Sequence, residues 1–216
     1  MNIPDTYQSS NIYVPGLSRP GIPEKAPDSR TTYTDREVAL LPKPGNSHLR
    51  YPEWAGREAS SRRLVRYLSM DKKAAGILEI GCGNGWLSHQ LSGVPGSRVI
   101  GLDPNLGELR QAARVFRKQP NLKFIYGDFY SAVLQDLSFD IIVMAATAHL
   151  FPSLPLIIKD TVAYLRPRGE LHLLDSCLHR PALCPFPHRY LYDPSSFWNR
   201  IIRKGGNYPW VCITAP

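Results

Sequence analysis

One segment, residues 77–86, restricts the fold of this 216-residue chain more than any other. It reads I-L-E-I-G-C-G-N-G-W, so a short apolar strand runs directly into a glycine turn that opens a helix. Gly81 and Gly83 allow a sharp turn and a close approach of a ligand to the backbone, because neither residue has a Cβ. Free N–H groups at the start of the following helix add a positive partial charge. The segment predicts the first strand–helix turn of a doubly wound sheet, where ligands bind beyond the carboxyl ends of the strands.

From residue 76 onward, short apolar runs alternate with amphipathic stretches of helical spacing. Strands are expected at 77–80, 98–102, 122–126, 139–144, 170–174 and 210–214, helices at 53–70, 86–91, 106–118, 154–165 and 194–203, and a helical turn at 132–137. Apolar, β-branched strands separated by helices indicate a parallel sheet that is covered on both faces. The expected fold class is therefore α/β, with a doubly wound, mostly parallel sheet and helices on both faces.

The first 50 residues differ in composition from the rest of the chain. Eight of the twenty prolines fall within the first 52 residues. Because proline removes backbone donors and blocks helix continuation, this arm is not expected to form a regular domain. Apolar residues such as Tyr13, Tyr33 and Val38 are suitable anchors, so we expect the arm to lie partly over the domain. The chain is divided into an irregular, Pro-rich N-terminal arm, residues 1–50, and a main domain, residues 51–216.

Charge and cysteine content indicate the cellular setting. The formal net charge of +8 favours anionic partners, although the densest basic cluster, Arg57–Arg66, is interpreted as one face of a helix. The four cysteines form no C-x-x-C pair and suit a reducing compartment. The sequence has no apolar run of membrane-spanning length and no secretory signal at its start. We therefore expect a cytoplasmic protein that does not enter a membrane.

The glycine turn departs from two common nucleotide-binding turns. The dinucleotide fingerprint G-x-G-x-x-G needs a third glycine at the position of Trp86, and the G-x-x-x-x-G-K-[ST] sequence of nucleoside triphosphate loops is absent. Glu79, two residues before the first glycine, would repel a pyrophosphate. A carboxylate at that position suits a ligand that carries an ammonium or sulfonium group. The turn therefore predicts a site for a cationic ligand.

Two further acids stand at the ends of expected strands. Asp103 follows the second strand, where a carboxylate can accept hydrogen bonds from both hydroxyls of a ribose. The alternative is that Asp103 is a helix N-cap before Pro104. Asp128 follows the third strand, where a carboxylate can accept a hydrogen bond from an exocyclic amine beside a stacked ring. The alternative is that Asp128 only stabilises a turn after Gly127. Acids at the ends of three successive strands predict a nucleoside site with a cationic group near Glu79.

These motifs resemble those of the class I, nucleotide-fold S-adenosylmethionine-dependent methyltransferases. The resemblance covers residues 55–175 and rests on E-I-G-C-G-N-G, G-L-D-P-N, Y-G-D-F-Y, the strand F-D-I-I-V-M and the turn L-R-P-R-G-E-L. It implies an enzyme with S-adenosylmethionine as its cofactor. The cofactor-binding residues that it implies are Glu79, Gly81, Cys82, Gly83, Gly85, Asp103, Pro104, Asp128, Phe129 and Ala145. The glycine turn would surround the methionine part, Asp103 would hold the ribose, and Asp128 and Phe129 would meet the adenine.

The end of the chain departs from the family pattern. The family closes its sheet with a further strand and then an antiparallel one, whereas only 210–214 is expected as a strand after residue 174. We therefore expect the fold to lack the usual final antiparallel strand.

The acceptor side of the site is less well marked in the sequence. Candidate catalytic residues are His149, Tyr51 and Arg57. His149 is a candidate general base or a packed loop histidine, whereas Tyr51 and Arg57 are candidates for the acceptor pocket, the cofactor carboxylate or ordinary helix packing. No metal site is expected, because the spacing of Cys177, His179, Cys184 and His188 matches no common zinc site.

The predicted function is transfer of a methyl group to an oxygen, nitrogen or carbon atom of a small molecule. One alternative is an RNA methyltransferase, which the positive charge suggests, and another is a non-catalytic scaffold protein that binds S-adenosylmethionine. A nicotinamide dehydrogenase is disfavoured by Trp86 and Glu79. The segment A-A-T-A at 145–148 lacks the N-P-P-Y-like tetrad of enzymes that methylate adenine or glutamine amides. The sequence makes no prediction of the oligomeric state.

Overall fold

The computed structural model describes residues 12–13, 33–43, 51–70, 75–130, 134, 137–176, 187–192 and 209–216, with the backbone alone at 51–53. Its strands are β1 (Ile12–Tyr13), β2 (Gly76–Ile80), β3 (Arg98–Asp103), β4 (Leu122–Tyr126), β5 (Phe139–Ala145), β6 (Leu165–Leu174), β7 (His188–Tyr192) and β8 (Trp210–Thr214). Its helices are α1 (Asp35–Leu40), α2 (Tyr51–Met70), α3 (Trp86–Ser92), α4 (Leu106–Val115) and α5 (Leu154–Val162), together with a 3₁₀ turn, Ala148–Leu150.

All eight strands form one sheet in the order β1-β4-β3-β2-β5-β6-β8-β7. The six strands from β1 to β6 pair in parallel, and β8 runs antiparallel to both β6 and β7. The order reverses between β2 and β5, since the chain moves outward from β2 in one direction and then returns to its other side. This confirms the predicted α/β class with a mostly parallel sheet.

Two apolar clusters cover the two faces of this sheet. One contains Val38 of α1, Leu64 of α2, Leu87 of α3 and Leu109 of α4, and the other contains Ile158 of α5. The central strand β2 is buried along its whole length. Because both faces of the parallel strands are covered, the open edge at their carboxyl ends is the place where polar side chains can gather.

The expectation that the final antiparallel strand is missing was wrong. Trp210–Thr214 is that strand, inserted between β6 and β7 with Ile213 opposite Leu171. The strand that the sequence analysis missed is β7, which lies at the sheet edge and pairs only with β8. Its residues are half-buried or exposed, because among the described residues no strand pairs with its other side, and its sequence H-R-Y-L-Y therefore lacks an apolar run.

Several element boundaries also differ from expectation. The helix expected at 154–165 ends at Val162, and Leu165 pairs with Phe139 at the start of β6. The helix expected at 106–118 ends at Val115, with Phe116 as its C-cap. The helix expected at 194–203 lies outside the described residues, as does most of the turn expected at 132–137.

Part of the Pro-rich arm packs against the domain. The Thr34 side chain and Glu37 form a capping box that begins α1. Val38 is fully buried in the same cluster as α2 and α3, and β1 adds a short parallel strand beside β4. Asp35 forms an ion pair with Arg114 of α4 at 2.6 Å. The division of the chain after residue 50 stays a prediction.

A search of the described part of the chain finds no helix with the length and apolar character that a bilayer crossing requires.

Candidate functional site

A cleft of about 610 Å³ opens at the carboxyl ends of the parallel strands. Its walls come from the ends of β2 to β6, from the helices α2, α3 and α4, from the 3₁₀ turn and from the N-terminal arm. The lining residues are Tyr33, Trp54, Arg57, Glu79, Ile80, Gly81, Cys82, Gly83, Asn84, Trp86, Leu102, Asp103, Pro104, Asn105, Glu108, Gly127, Asp128, Phe129, Ala145, Ala146, Thr147, Leu150, Phe151 and Asp175. The structure thus brings the three predicted strand-end acids to one cleft.

The glycine turn forms one edge of this cleft. Gly81 has a φ of +74°, and a Cβ there would lie 2.5 Å from Thr147 Cγ2. Gly83 has a φ of +51°, and a Cβ there would lie 2.5 Å from Glu108 Oε2. The sequence analysis attributed these glycines to a sharp turn and to the approach of a ligand, and the positive φ angles support the turn, whereas neighbouring side chains lie against both Cβ positions. The glycines are therefore needed for the turn itself, whose residues still line the cleft.

Gly85 has a different position from the other two glycines. It is the N-cap of α3, and a Cβ on it would lie 2.7 Å from Phe124. It is not among the residues that line the cleft. Its predicted contact with the cofactor therefore gains no support from the structure, which assigns it to the packing of α3 against β4.

Asp103 fixes the glycine turn to the neighbouring strand. Its Oδ2 accepts a hydrogen bond from the Gly83 N–H at 2.8 Å, and its Oδ1 accepts one from the Asn105 N–H at 2.8 Å. The N-cap of α4 is Asn105, so Asp103 is not the helix cap that was considered as an alternative. Because each carboxylate oxygen can accept more than one hydrogen bond, this anchoring is compatible with contacts to ribose hydroxyls.

Glu79 is the most deeply buried acid of the cleft. Its side chain lies at the end of β2 and is 3% exposed, and its carboxylate accepts a hydrogen bond from the Ser88 hydroxyl of α3. Burial raises the pKa of Glu79 to about 8, and the nearby negative charge of Asp103 acts in the same direction. A cation placed in the cleft would favour the ionised form.

Asp128 and Phe129 line the cleft beyond β4. Asp128 is half-buried, whereas the Phe129 ring is buried and packs edge-on against Tyr130, Phe151 and Tyr164. This packing fixes the ring beside the carboxylate. The predicted residues Cys82, Pro104 and Ala145 also line the cleft.

Of the three candidate acceptor-side residues, the structure brings one to the cleft. Arg57 lines it, with its guanidinium carbon 4.9 Å from the ring centre of Trp54. His149 does not, because the 3₁₀ turn buries Ala148 and leaves His149 exposed. Its selection as a candidate general base is therefore not supported by its position. The Tyr51 side chain lies outside the described residues.

Among the lining residues that the sequence analysis did not predict, three come from distant parts of the chain. Tyr33 comes from the arm, and its hydroxyl accepts a hydrogen bond from Trp54 Nε1 at 2.8 Å. Thr147 fills the space beside Gly81. Asp175 follows β6, and its Oδ1 accepts a hydrogen bond from the Ser60 hydroxyl at 2.7 Å. Asp175 had a usable signal, since it follows the apolar run L-H-L-L just as Asp103 follows its own strand.

Backbone strain is concentrated in the same cleft. Ala146 has a φ of +54° and Asp175 a φ of +50°, conformations that residues with a Cβ seldom adopt. They follow neighbouring strands, and the Ala146 N–H donates to the Leu174 carbonyl at 2.9 Å. Strained residues held by surrounding structure are typical of functional sites.

The lining of the cleft is mainly acidic, whereas the chain as a whole is basic. The cleft has one positively charged side chain, Arg57, against five carboxyl groups, which belong to Glu79, Asp103, Glu108, Asp128 and Asp175. The chain as a whole has a net charge of +8. The cleft is therefore suited to a ligand with positive charge.

Comparisons with known proteins agree with this geometry. Residues 77–169 match the family model described as a methyltransferase domain. A sterol 24-C-methyltransferase of Pneumocystis carinii is 32% identical over 126 residues, 54% of this chain and 33% of the relative. A malonyl-[acyl-carrier protein] O-methyltransferase of Priestia megaterium is 30% identical over 137 residues, 61% of this chain and 49% of the relative.

The match to a methyltransferase domain spans residues 77–169, which is less than half of this chain.

Solved structures share the fold of the methyltransferase domain. The plantazolicin methyltransferase BpumL, solved with a triazolic desmethylPZN analog and SAH, gives a TM-score of 0.56 at 14% identity, over 84% of this chain and 95% of that chain. The YcgJ protein of Bacillus subtilis has a TM-score of 0.53 at 15% identity, and the match covers 73% of this chain and 96% of that chain. By contrast, this chain matches only 37% of the length of a phthiotriol/phenolphthiotriol dimycocerosates methyltransferase of Mycobacterium leprae, at 31% identity over 46% of this chain.

A second group of ionisable residues lies on the sheet of the methyltransferase domain but outside the cleft. Glu170, His172 and Cys212 have side-chain atoms within 4.8 Å of one another. Trp210 Nε1 donates to His172 Nδ1 at 3.1 Å, so the neutral ring has its proton on Nε2, which faces Glu170 at 3.2 Å. Burial lowers the pKa of His172 and keeps the ring neutral. A protonated Nε2 has no lone pair for a metal, and this group does not fit a metal ligand set.

Proposed function

We propose that this protein transfers a methyl group from S-adenosylmethionine to a small molecule. The observation that carries the proposal is the cleft in which Glu79, Asp103 and Asp128, from three neighbouring strands, meet the glycine turn. The bound cofactor supplies a methyl group on a positively charged sulfur, which becomes a neutral thioether when the methyl group leaves.

The lining residues fit such a cofactor. Asp103 is held by two backbone N–H groups and is available to the ribose hydroxyls, and Asp128 beside Phe129 suits the adenine. Glu79 lies next to the glycine turn, where its buried carboxyl group favours a positive charge. Arg57 is the one positively charged residue of the lining and is suited to a carboxylate.

The acceptor is proposed to be a small molecule with an apolar part. The rim of the cleft includes Phe151 and Leu150, and Leu150 is 66% exposed. The names of the similar proteins include a sterol, a phthiotriol derivative and a malonyl-carrier protein as molecules that those proteins methylate. An apolar rim favours acceptors of this general kind.

The alternatives are less well supported. Five carboxyl groups in the cleft would repel an RNA backbone, although the net charge of +8 favours RNA elsewhere on the surface. A scaffold protein that binds the cofactor without transfer would have the same cleft, and only an activity measurement separates the two. A cytoplasmic location stays a prediction from the sequence.

Isothermal titration calorimetry tests whether the cleft binds the cofactor, which methyl transfer requires, and transfer of the methyl group to an added acceptor separates an enzyme from a scaffold. S-adenosylmethionine and S-adenosylhomocysteine are expected to bind and NAD is not. Asp128→Asn should weaken both sulfur nucleosides about tenfold, the effect of losing one hydrogen bond to a charged group. Asp160→Asn, on α5 and outside the lining, is the matched control, since it loses a hydrogen bond from the Tyr130 hydroxyl and no contact with the cleft. Binding of NAD in place of the sulfur nucleosides would contradict the proposal.

A further inference from the structure

Asp175 lies at the opposite end of the cleft from the acids assigned to the nucleoside. It follows β6, whereas Asp103 and Asp128 follow β3 and β4, on the other side of β2 and β5. Neighbouring strands are ~4.8 Å apart, so the ends of β4 and β6 are separated by ~19 Å. The glycine turn after β2 lies between them. A nucleoside over β3 and β4, with its sulfur near the turn, would leave Asp175 on the acceptor side.

Helix α2 holds Asp175 in a fixed position. Ser60 is 7% exposed, and its hydroxyl donates to Asp175 Oδ1 at 2.7 Å. Arg57, Ser60 and Arg63 follow one another at intervals of three, which places them on one side of the helix. The two arginines act on the charge of Asp175, while the Arg63 guanidinium stacks on the ring of Tyr192 at 4.0 Å. The strained φ of +50° shows that the surrounding structure determines this conformation.

A purely structural acid would have a different environment. Burial raises the pKa of Asp175, although the Ser60 hydrogen bond and the charges of Arg57 and Arg63 act in the opposite direction. Glu170, which lies outside the cleft, instead has its pKa lowered to about 2 by donors around it. Asp175 therefore combines a place in the cleft with a reduced preference for the charged form, which is the environment of a proton acceptor.

We propose that Asp175 accepts the hydrogen bond of the atom to be methylated, so that the acceptor molecule carries an O–H or N–H group. This inference rests on the proposed methyl transfer and narrows its acceptor from oxygen, nitrogen or carbon to the first two. A lone pair of the acceptor atom forms the bond to the methyl carbon, while the methyl–sulfur bond breaks and its electron pair stays on the sulfur of the departing S-adenosylhomocysteine. The O–H or N–H bond of the acceptor also breaks, and its electron pair stays on the acceptor atom. The proton moves to a carboxylate oxygen of Asp175 and then to water.

Sinefungin tests this placement without a known acceptor. In this analogue a carbon with an amino group replaces the sulfur and its methyl group, so an ammonium group lies where the methyl group would be. Calorimetry would compare sinefungin with S-adenosylhomocysteine on the full chain. The wild type is expected to bind sinefungin about tenfold more tightly, because the ammonium group meets the Asp175 carboxylate. Asp175→Asn should reduce that preference, with the part that Glu79 contributes remaining, and change the affinity for S-adenosylhomocysteine less than about twofold.

Asp128→Asn is the matched control, since it should weaken both ligands equally and leave their ratio unchanged. If neither ligand binds the wild type, the proposed function itself fails. If both bind but Asp175→Asn retains the full preference, or the wild type shows none, the role of Asp175 is overturned while cofactor binding stands. Should Asp175→Asn fail to fold, Ser60→Ala replaces it: a reduced ratio supports the proposal and an unchanged ratio overturns it.

Discussion

Two carboxylates in the same sheet, Glu79 and Glu170, have opposite electrostatic environments. Glu79 accepts a hydrogen bond from Ser88, and burial raises its pKa to about 8. Glu170 accepts from the Tyr67 hydroxyl at 2.9 Å and from Arg189 Nη2 at 2.6 Å, and His172 also faces it. These donors overcome its desolvation and lower its pKa to about 2.

The pKa values of Glu170 and Glu79 differ because the fold surrounds the first with several donors and the second with few. Glu170 is surrounded by donors from α2, β6 and β7, so its charge is compensated within the fold and joins those elements. Glu79 is at the edge of the cleft, where the protein supplies little compensation for a buried charge. We infer that Glu170 has a structural role and that Glu79 is held for a cationic ligand. The following changes would separate the two roles.

The largest expected effect is on the pH dependence of stability at Glu79. Its folded-state pKa of about 8 exceeds the ordinary value of 4.5, so the folded state binds more protons between these values and stability falls as pH rises through that window. At 1.36 kcal/mol per pKa unit, the full loss is on the order of 5 kcal/mol. Glu79→Gln removes this loss, and its Tm without ligand should exceed that of the wild type more at pH 8 than at pH 5. A constant difference across this range would contradict the interpretation.

A smaller effect of the opposite kind is expected at Glu170. Glu170→Gln leaves Arg189 and Tyr67 without their carboxylate and should cost about 3 kcal/mol in urea unfolding at pH 7. Because its folded-state pKa is lowered, this stabilisation is present above pH 4.5 and is lost as pH falls toward 2. Affinity for S-adenosylmethionine should stay within about twofold of the wild type. Glu58→Gln, which removes the i,i+4 pair with Arg62, is the matched control and should cost less than about 0.5 kcal/mol.

The smallest effect is expected from Tyr67→Phe. It removes the hydroxyl that donates to Glu170 and should cost about 1 kcal/mol in the same measurement, with no change in cofactor affinity. Tyr126→Phe, at a half-buried position on β4, is the control for loss of a tyrosine hydroxyl. If Tyr67→Phe weakened cofactor binding, the separation between the structural group and the cleft would be wrong.

The features that the sequence predicted are those encoded locally. Glu79 and the glycine turn are adjacent in the chain, and Asp103 and Asp128 each follow an apolar strand directly, so the sheet class alone brings them to one edge. The cleft confirms their common location. Their contacts with a cofactor, and the division of the chain after residue 50, stay predictions.

The features that the sequence did not predict depend on distant contacts. Asp175 and Ser60 are 115 residues apart in the chain, and Tyr33 reaches the cleft through Trp54, 21 residues away. The edge strand β7 has no apolar run because, in the described part of the chain, it pairs with a single strand. Within the 3₁₀ turn, Leu150 lines the cleft and His149 does not, a difference that a single sequence does not reveal.

Proton release on ligand binding tests the central claim about Glu79 most directly. Calorimetry at pH 7 in phosphate and in Tris buffer, which differ in ionisation enthalpy, measures the protons released with S-adenosylmethionine and with S-adenosylhomocysteine. The two ligands share the same amino-acid end, so their difference isolates the positive sulfur. S-adenosylmethionine is expected to release more protons from the wild type, and Glu79→Gln should remove this excess. Equal release by both ligands from the wild type, or an excess that persists in Glu79→Gln, would contradict this expectation.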